Sequence, residues 1–455
     1  MTPLDILYAL SFVFLVMFLT YTTLIVVPFL RRPRAAEGDT APFEWHAFLP
    51  CRDEAAVVEA TMTRTRERFP QIHLWMIDDA STDGTGELIA RAAGADSFIH
   101  PVLRTLPDAR SGKGAALNAA FVQLDAWRSR ERARAADDDD RTIVVVVDAD
   151  GDLAPDALRQ AAGPAAFGDP LVGALQVAVR MNNRDDPSPS PGRGRLASAW
   201  ARSLIRMQDI EFRTTIAAMQ ILRMRTVSVG LGGNGQFTRL SALRAASLDT
   251  GEPWGDALLE DYEVGLRIML AGYRTVYVHD TYVSQEALPS ARRLLTQRTR
   301  WCQGGMQCGR YIPHIFGSRS FTNAGAFEAA YFLAIPYIQL LGLIVWPSVA
   351  IAMIVTGALA PGGFLSWAWQ SAWILPLWVA TGILPFALWP IVYTRREERH
   401  PLWKGLLWGL GYWLYMYQSY VCVARALGRL LTRRNGWTKT RRNADADRLL
   451  RAVEV

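Results

Sequence analysis

The chain has 455 residues, half of them hydrophobic, with a mean hydropathy of +0.07 and a net charge of +6. The apolar content excludes a disordered chain, and 35 Gly with 24 Pro in no period exclude a collagen-like one. Four cysteines (Cys51, Cys302, Cys308, Cys422) form no C-x-x-C pair, which argues against a zinc or redox framework and fits a reducing compartment.

Residues 6–30 are an uncharged apolar run of 25 residues, long enough for a helix across a bilayer, followed by Arg31, Arg32 and Arg34. A cleaved signal peptide carries its positive charge ahead of the apolar core, whereas residues 1–5 hold no Lys or Arg. A retained helix is predicted. Lys and Arg favour the cytoplasm, so it should run N-terminus out, C-terminus in.

Residues 45–325 read as one cytoplasmic body. Short apolar runs at 46–49, 74–77, 143–147 and 173–181 alternate with helical patterns at 55–69 and 85–93. That alternation predicts parallel strands in a doubly wound α/β sheet, with ligands at the strands' carboxyl ends. The stretches 129–141 and 185–195 read as disordered loops, and the run Asp137 to Asp140 as a solvated one.

Polar residues gather at the predicted strand ends. Asp78-Asp79-Ala80-Ser81-Thr82-Asp83-Gly84 follows a strand and opens a helix, with Ser81 or Asp83 as N-cap. It reads either as a plain capped turn or as a carboxylate contact to a nucleoside. Asp148-Ala149-Asp150 ends the Val-rich strand. It reads either as a capped turn or as a pair bridging a hard divalent cation and a diphosphate. Ser111-Gly112-Lys113-Gly114 lacks the first glycine of a P-loop and has no Ser or Thr after the lysine, but Lys113 can meet a diphosphate as a point charge. Glu260-Asp261 precedes a helical pattern, where a buried carboxylate suits a general base. Gln297-Arg298-Thr299-Arg300-Trp301 lies in a cationic helix and pairs Arg for phosphate with Trp for a sugar face. The same helix also reads as an amphipathic one on lipid headgroups.

Three more apolar runs follow, at 329–359, 364–393 and 405–424. Arg395, Arg396, Arg399 and Lys404 place the 394–404 loop inside, and the basic tail from Arg425 belongs inside too. Both hold only if 405–424 is re-entrant or interfacial; otherwise the tail violates the charge rule. The expected organisation is a membrane helix at 1–34, the catalytic body at 45–325 with interfacial helices, a membrane region at 326–427 and a basic cytoplasmic tail at 428–455. Basic residues cluster beside apolar segments, which points to a bilayer and away from nucleic acid.

In their order, Phe48-Leu49-Pro50-Cys51-Arg52-Asp53-Glu54, Asp78-Asp79, Lys113-Gly114 with Asn118, Asp148-x-Asp150, Gly232-Gly233-Asn234-Gly235, Glu260-Asp261 and Gln297-x-x-Arg300-Trp301 resemble the membrane-embedded family 2 glycosyltransferases. Cellulose, hyaluronan and poly-N-acetylglucosamine synthases belong to that group. The resemblance covers residues 45–310 and the flanking helices. It implies a GT-A domain (a Rossmann-like mixed sheet), a nucleotide-sugar donor that is usually UDP-linked, and Mg²⁺ or Mn²⁺. By resemblance Pro50, Arg52, Glu54, Asp78, Asp79, Lys113, Asp148, Gln297, Arg300 and Trp301 hold the donor. Gly233, Asn234, Gly235 and Trp301 line the acceptor side, Asp148 and Asp150 hold the metal, and Asp261, beside Glu260, is the base. Cys51-Arg52-Asp53-Glu54 departs from the commoner small residue, Arg or Tyr, then Asn-Glu. The expected activity is inverting transfer to a growing β-linked polysaccharide threaded through the membrane of the cell, with accessory export or co-polymerase proteins as partners. The alternative is transfer of one sugar to a lipid acceptor.

Overall fold

The computed structural model describes residues 2–131, 138–187, 189, 194–434 and 436. Helix α1 (Pro3–Leu30) starts in a capping box, Thr2 Oγ1 accepting from Asp5 N and Asp5 Oδ2 from Thr2 N. The central body then alternates β1 (Glu44–Cys51), α2 (Val58–Arg68), β2 (His73–Asp79), α3 (Thr85–Ala95), β3 (Ile99–Arg104), α4 (Lys113–Glu131), β4 (Thr142–Val146), β5 (Asp152–Leu153), α5 (Ala157–Ala161) and β6 (Val172–Met181). A long helical rod, α6 (Gly194–Ile210) and α7 (Ala217–Thr226), is interrupted by a π-helical turn at Glu211–Ile216. After it come β7 (Gln236–Arg239), α8 (Leu240–Ser247), α9 (Glu260–Leu270), β8 (Arg274–Gln285), α10 (Ala291–Cys308) and α11 (Ile312–Gly317).

The eight strands form one sheet in the order β3-β2-β1-β4-β7-β6-β8-β5. Strands β3, β2, β1 and β4 run parallel, as do β6 and β8. The strand–helix alternation predicted the parallel strands, and the sheet is mixed, as the resemblance implied: β7 is antiparallel to β4 and β6, and β5 to β8. The reversal into β7 is made by Gly233 and Gly235, at φ 80° and 73°, where a side chain is strained. Every residue of β4 is buried because both faces are covered: Ile143 and Val145 join one core, Val144 and Val146 the other. This is why its sequence is a continuous apolar run.

The predicted disordered stretches are partly ordered. Helix α4 continues to Glu131, and the acidic run is a turn in which Asp138 and Asp140 are exposed as expected, while Asp139 is tied to Arg244 at 2.7 Å and to Arg128 at 3.7 Å. Asp185 is held by Arg184 at 3.1 Å and Arg206 at 3.0 Å. Residues 132–137, 188 and 190–193, and most of the basic tail, lie outside the described residues.

Helices α12 (Asn323–Leu359), α13 (Gly363–Gln370), α14 (Ile374–Trp378), α15 (Leu384–Val392), α16 (Leu402–Met416) and α17 (Gln418–Leu431) complete the chain. Among the described residues, three helices are long and apolar enough to cross a membrane: Pro3–Leu30, Asn323–Leu359 and Ile374–Glu397. The last runs from α14 through α15 and starts later than the sequence suggested, because α13 stops at Gln370. The apolar run 405–424 is not one continuous helix: a turn at Tyr417 divides it into α16 and α17.

Candidate functional site

The site lies at the carboxyl ends of β1, β2 and β4. The loops after β1 and β2 are stitched to each other. Asp53 N donates to Ser81 Oγ (2.9 Å), Glu54 N to Thr85 Oγ1 (2.8 Å) and Ala55 N to Asp83 Oδ2 (2.9 Å), while Thr82 N donates to Asp53 Oδ1 (2.9 Å). Asp83 Oδ1 also accepts from Thr85 N (3.1 Å), but the N-cap of α3 is Gly84, at φ 93° with no side-chain cap bond, so neither Asp83 nor Ser81 is the N-cap the sequence suggested, and Ser81 serves the neighbouring loop. Pro50 pairs with Ile77 in the sheet, Glu54 is buried, and Arg52 lies at the half-buried rim with Nε 4.0 Å from Asp53 Oδ2.

The two aspartates ending β2 face protein partners. Asp78 Oδ1 accepts from Ser81 N (3.1 Å). Asp79 Oδ1 accepts from Arg110 N (3.0 Å) and from the Arg104 guanidinium. Sequence reasoning missed both arginines, since nothing in their spacing marks a partner for Asp79.

The β4 end brings the charged centre together. Lys113, the first residue of α4, places Nζ 2.6 Å from Asp148 Oδ1. The Asp148 amide donates to Asn234 Oδ1 (3.1 Å), and Asn234 Nδ2 donates to Gln285 Oε1 (2.9 Å). Gln176 donates to Asn234 O (2.8 Å) and accepts from Gly232 N (2.8 Å), so the Gly232–Gly235 loop is clamped to β6. Asp150 Oδ2 accepts from Glu286 N (3.3 Å). Asp148 and Asp150 therefore offer two carboxylates from one bend, with an ammonium already seated as the cation at Asp148. No third His, Cys, Asp or Glu joins a ligating group with them among the described residues.

The acids of α9 close the site from the other side. A Cβ on Gly233 would fall 2.7 Å from Asp261 Oδ2 and 3.4 Å from Lys113 Nζ, so only glycine lets the backbone pass between these two groups. Asp261 Oδ1 accepts from its neighbour's amide, Tyr262 N, at 2.7 Å. Burial raises the Asp261 carboxyl to about 7; Glu260 adds to the rise, and Lys113 and Arg300 oppose it. Burial also raises Glu260, against Lys113 and Arg300. For Lys113 burial favours the neutral amine, but Asp148, Glu260 and Asp261 outweigh it and hold the ammonium charged. A cavity of about 350 Å³ opens beside them, walled by Ser111–Ala115, Trp254–Leu258, Glu260 and Arg267.

Helix α10 carries Gln297, Arg300 and Trp301. The Arg300 charge is felt by both Glu260 and Asp261. Trp301, one residue on, turns to the next face and meets the Phe212 ring edge-on at 6.3 Å, with the Arg298 guanidinium 4.5 Å over it. Gln297 is half-buried one turn earlier. The fold thus gathers Lys113, Asp148, Asn234, Gly233, Glu260, Asp261 and Arg300 around one centre. Asp78, Asp79, Glu54 and Trp301 sit at its margins in contacts of their own.

The family described as "Glycosyl transferase family group 2" matches residues 143–426, and "Glycosyl transferase family 2" matches residues 47–227. The chain is 26% identical over 292 residues to the beta-monoglucosyldiacylglycerol synthase of Nostoc sp. (strain PCC 7120), covering 62% of this chain and 53% of that protein. It is 27% identical over 239 residues to an undecaprenyl-phosphate mannosyltransferase of Micrococcus luteus, covering 52% of this chain and 83% of that protein. The chain thus spans about half the length of the monoglucosyldiacylglycerol synthases it matches. Among solved structures, the mannosyltransferase PcManGT of Pyrobaculum calidifontis, in complex with GDP-Man and Mn²⁺, superposes with a TM-score of 0.55 at 18% identity, over 94% of this chain and 98% of that one. With a family match over more than half its length and this sheet, the chain belongs to glycosyl transferase family group 2 and is a glycosyltransferase of the GT-A fold.

Proposed function

We propose that the chain moves one hexosyl group, with inversion, from a nucleotide-sugar donor to a lipid acceptor at a membrane surface. The observation that carries the chemistry is the meeting of Asp261 and Lys113 across Gly233, a base beside a cation with no side chain between. Asp261 takes the proton of an acceptor hydroxyl or phosphate. The acceptor oxygen forms its bond to the anomeric carbon from the side opposite the nucleotide, the bond from that carbon to the phosphate oxygen breaks, and the nucleoside diphosphate leaves with the electron pair. Lys113 and Arg300 offset the charge that grows on the diphosphate, in a site already organised for it. Arg52, Glu54, Asp78 and Asp79 frame the nucleoside, and Gln297 and Trp301 the acceptor.

Asp148 and Asp150 suit Mg²⁺ or Mn²⁺, which bind through one or two carboxylates and complete their shell with substrate phosphates and water. Such an ion would add Lewis-acid stabilisation of the leaving diphosphate. The bound Mn²⁺ of the Pyrobaculum enzyme is a precedent for the metal class in this fold.

The lipid acceptor is favoured over the polymer because the names of the matched relatives specify diacylglycerol and undecaprenyl phosphate. The membrane arrangement is part of the same proposal. Helix α1 crosses outside to inside, the 45–325 body is cytoplasmic, α12 crosses out, and 374–397 returns. Helices α16 and α17 then lie in the interface: Val423 and Ala426 of α17 pack on Met306 of α10, a helix of the catalytic body. That places both basic segments inside, as the charge rule requires. The deciding experiment supplies UDP- and GDP-hexoses with dioleoylglycerol or undecaprenyl phosphate and separates lipid extract from aqueous glycan. Glycolipid carrying one sugar is expected; long water-soluble glycan would restore the polymerase reading.

A further inference from the structure

The rod formed by α6 and α7 carries a π-helical turn at Glu211–Ile216, and turns of this kind recur at functional sites. Here it sends neighbouring side chains two ways. Arg213 reaches Asp209 and the carboxylates of Glu397 and Glu398, at the end of the 374–397 helix. Glu211 and Phe212 face α10 instead. Glu211 accepts both arms of the Arg298 guanidinium, Nη1 on Oε1 at 3.1 Å and Nη2 on Oε2 at 2.7 Å. Tyr415 at the end of α16 donates its hydroxyl to the same carboxylate at 2.7 Å. The Arg298 guanidinium so held lies over the Trp301 ring at 4.5 Å, and the Phe212 ring stands nearly perpendicular to the indole with centroids 6.3 Å apart. One turn later Thr215 and Tyr412 are joined at 2.7 Å, so α16 is fastened to the turn at two points.

We propose that Glu211 is a positioning residue for acceptor binding: through the forked bond to Arg298 it fixes the plane of the Trp301 ring, and through Tyr415 it ties that ring to the interfacial helix α16. The inference rests on Trp301 lining the acceptor side. The arrangement has the chemistry of a fixed aromatic wall. A forked Arg–carboxylate bond allows little rotation, and a guanidinium stacked on one face of an indole holds the plane of that ring. Both side chains of the pair are mostly buried, 13% exposed each, so the geometry is shielded from competing water.

The test uses the full-length protein in lipid nanodiscs. The acceptor is dioleoylglycerol or undecaprenyl phosphate, whichever is glycosylated, and donor hydrolysis without lipid is measured alongside. Glu211→Gln keeps the shape and loses the charge, while Arg298→Lys keeps the charge and loses the fork and the stacking. Acceptor KM should rise about tenfold or more in both, since small misplacements of a positioning group cost up to about a hundredfold. Donor KM and lipid-free hydrolysis should stay within about twofold of the parent. Equal effects on donor and acceptor, or a lowered melting temperature with unchanged KM values, would show a purely structural ion pair and overturn the proposal. Trp301→Phe separates the two levels: if it leaves acceptor KM unchanged, the reading of Trp301 fails, whereas an effect there with none in Glu211→Gln sinks only the positioning role. If Glu211→Gln does not fold, Arg298→Lys and Tyr415→Phe decide by the same split.

Discussion

Asp261→Asn tests the catalytic reading most directly. Asparagine is nearly isosteric, so the Tyr262 amide keeps an acceptor and the α9 start keeps its shape. What is lost is the capacity to take a proton, which is worth about 10²–10⁴ in rate for a general base. The structure adds a pH signature. With a carboxyl at about 7, a tenth of Asp261 is ionised at pH 6 and about nine-tenths at pH 8. An ordinary aspartate would be almost fully ionised at both. The shift is upward, so the active carboxylate form is lost as pH falls. Transfer should therefore rise roughly tenfold from pH 6 to pH 8 and level off above. Glu260, Lys113 and Arg300 face Asp261, and Glu260→Gln removes the neighbouring charge. That variant should shift the rise to lower pH while keeping most of the activity. The assay is glycolipid formation under saturating donor, with nucleotide binding followed in parallel to show that the site is intact. Asp261→Asn within tenfold of the parent, together with loss of transfer in Glu260→Gln, would assign the wrong carboxylate and refute the reasoning.

Chelation with EDTA should abolish transfer while leaving the melting temperature unchanged, and Mg²⁺ or Mn²⁺ should restore it. Asp150→Asn should then need at least about tenfold more metal for half-maximal rate, and chelator-resistant transfer rules out a metal at this bend. Away from the site, His46, His73 and His100 stack across β1, β2 and β3, with His73 Nδ1 3.0 Å from His100 Nε2. Burial depresses all three, His73 to about 3 and His100 to about 4. The unfolded chain takes up these protons first, so stability is full above about pH 6.5 and falls towards pH 4. Melting temperatures across that window should show it, and His73→Phe should flatten the slope; an unchanged slope counts against the cluster. Ser129→Cys, at an exposed position in α4, should resist an impermeant thiol reagent in intact cells, and ready labelling there reverses the orientation.

The motifs were legible where local chemistry and strand position coincide. A Val-rich run closed by Asp148-x-Asp150 announces a buried strand end, and the run from residue 74 to Asp79 does the same. The partners were not legible, because they are set by chain crossings. Lys113 lies 35 residues from Asp148, and Asn234 lies 86 residues from it. Nothing in the acidic run predicted the Arg244 contact to Asp139, so it read as solvated. Strand β7 was missed because four residues, Gln236–Arg239, are too short for a period, and their burial comes from sheet neighbours on both sides. The π-helical turn leaves no mark in composition at all. The break at Tyr417 is likewise tertiary: the run 405–424 is apolar throughout, but Tyr412 and Tyr415 are drawn against the catalytic body, and Cys422, Val423 and Ala426 are buried as well.

A lipid acceptor poses a geometric problem that a soluble one does not, because its reactive oxygen is held near the membrane and the base must be held at a matching depth. On the lipid-acceptor proposal, the chain would meet this with buried polar ties between the apolar helices α1 and α12 and the rod that precedes the Gly232–Gly235 loop. Glu328 of α12 accepts from Arg223 Nε of α7 at 2.8 Å, from Ser228 Oγ at 3.1 Å and from Tyr21 of α1 at 3.2 Å. Thr322 Oγ1 caps α12 through Gly325 N (2.9 Å) and also donates to Thr226 O at the end of α7 (3.0 Å). A Cβ on Gly325 would strike that same carbonyl at 2.5 Å, so the two helices meet backbone to backbone. Such a buried pair adds little net stability, because desolvation of both charges offsets their attraction. Its effect is on geometry: an Arg–Glu bond fixed by two further donors admits one arrangement of three helices. Only a few residues separate Ser228 from Gly233, where Asp261 and Lys113 meet. If α1 and α12 cross the bilayer as proposed, these ties fix the depth of the Gly233 centre through α1, α7 and α12, and Gln339 of α12, donating to Ser419 of α17 at 3.1 Å, links them to the segment that borders Trp301. One set of ties fixes the base, and the other, through Glu211 and Tyr415, fixes the aromatic wall.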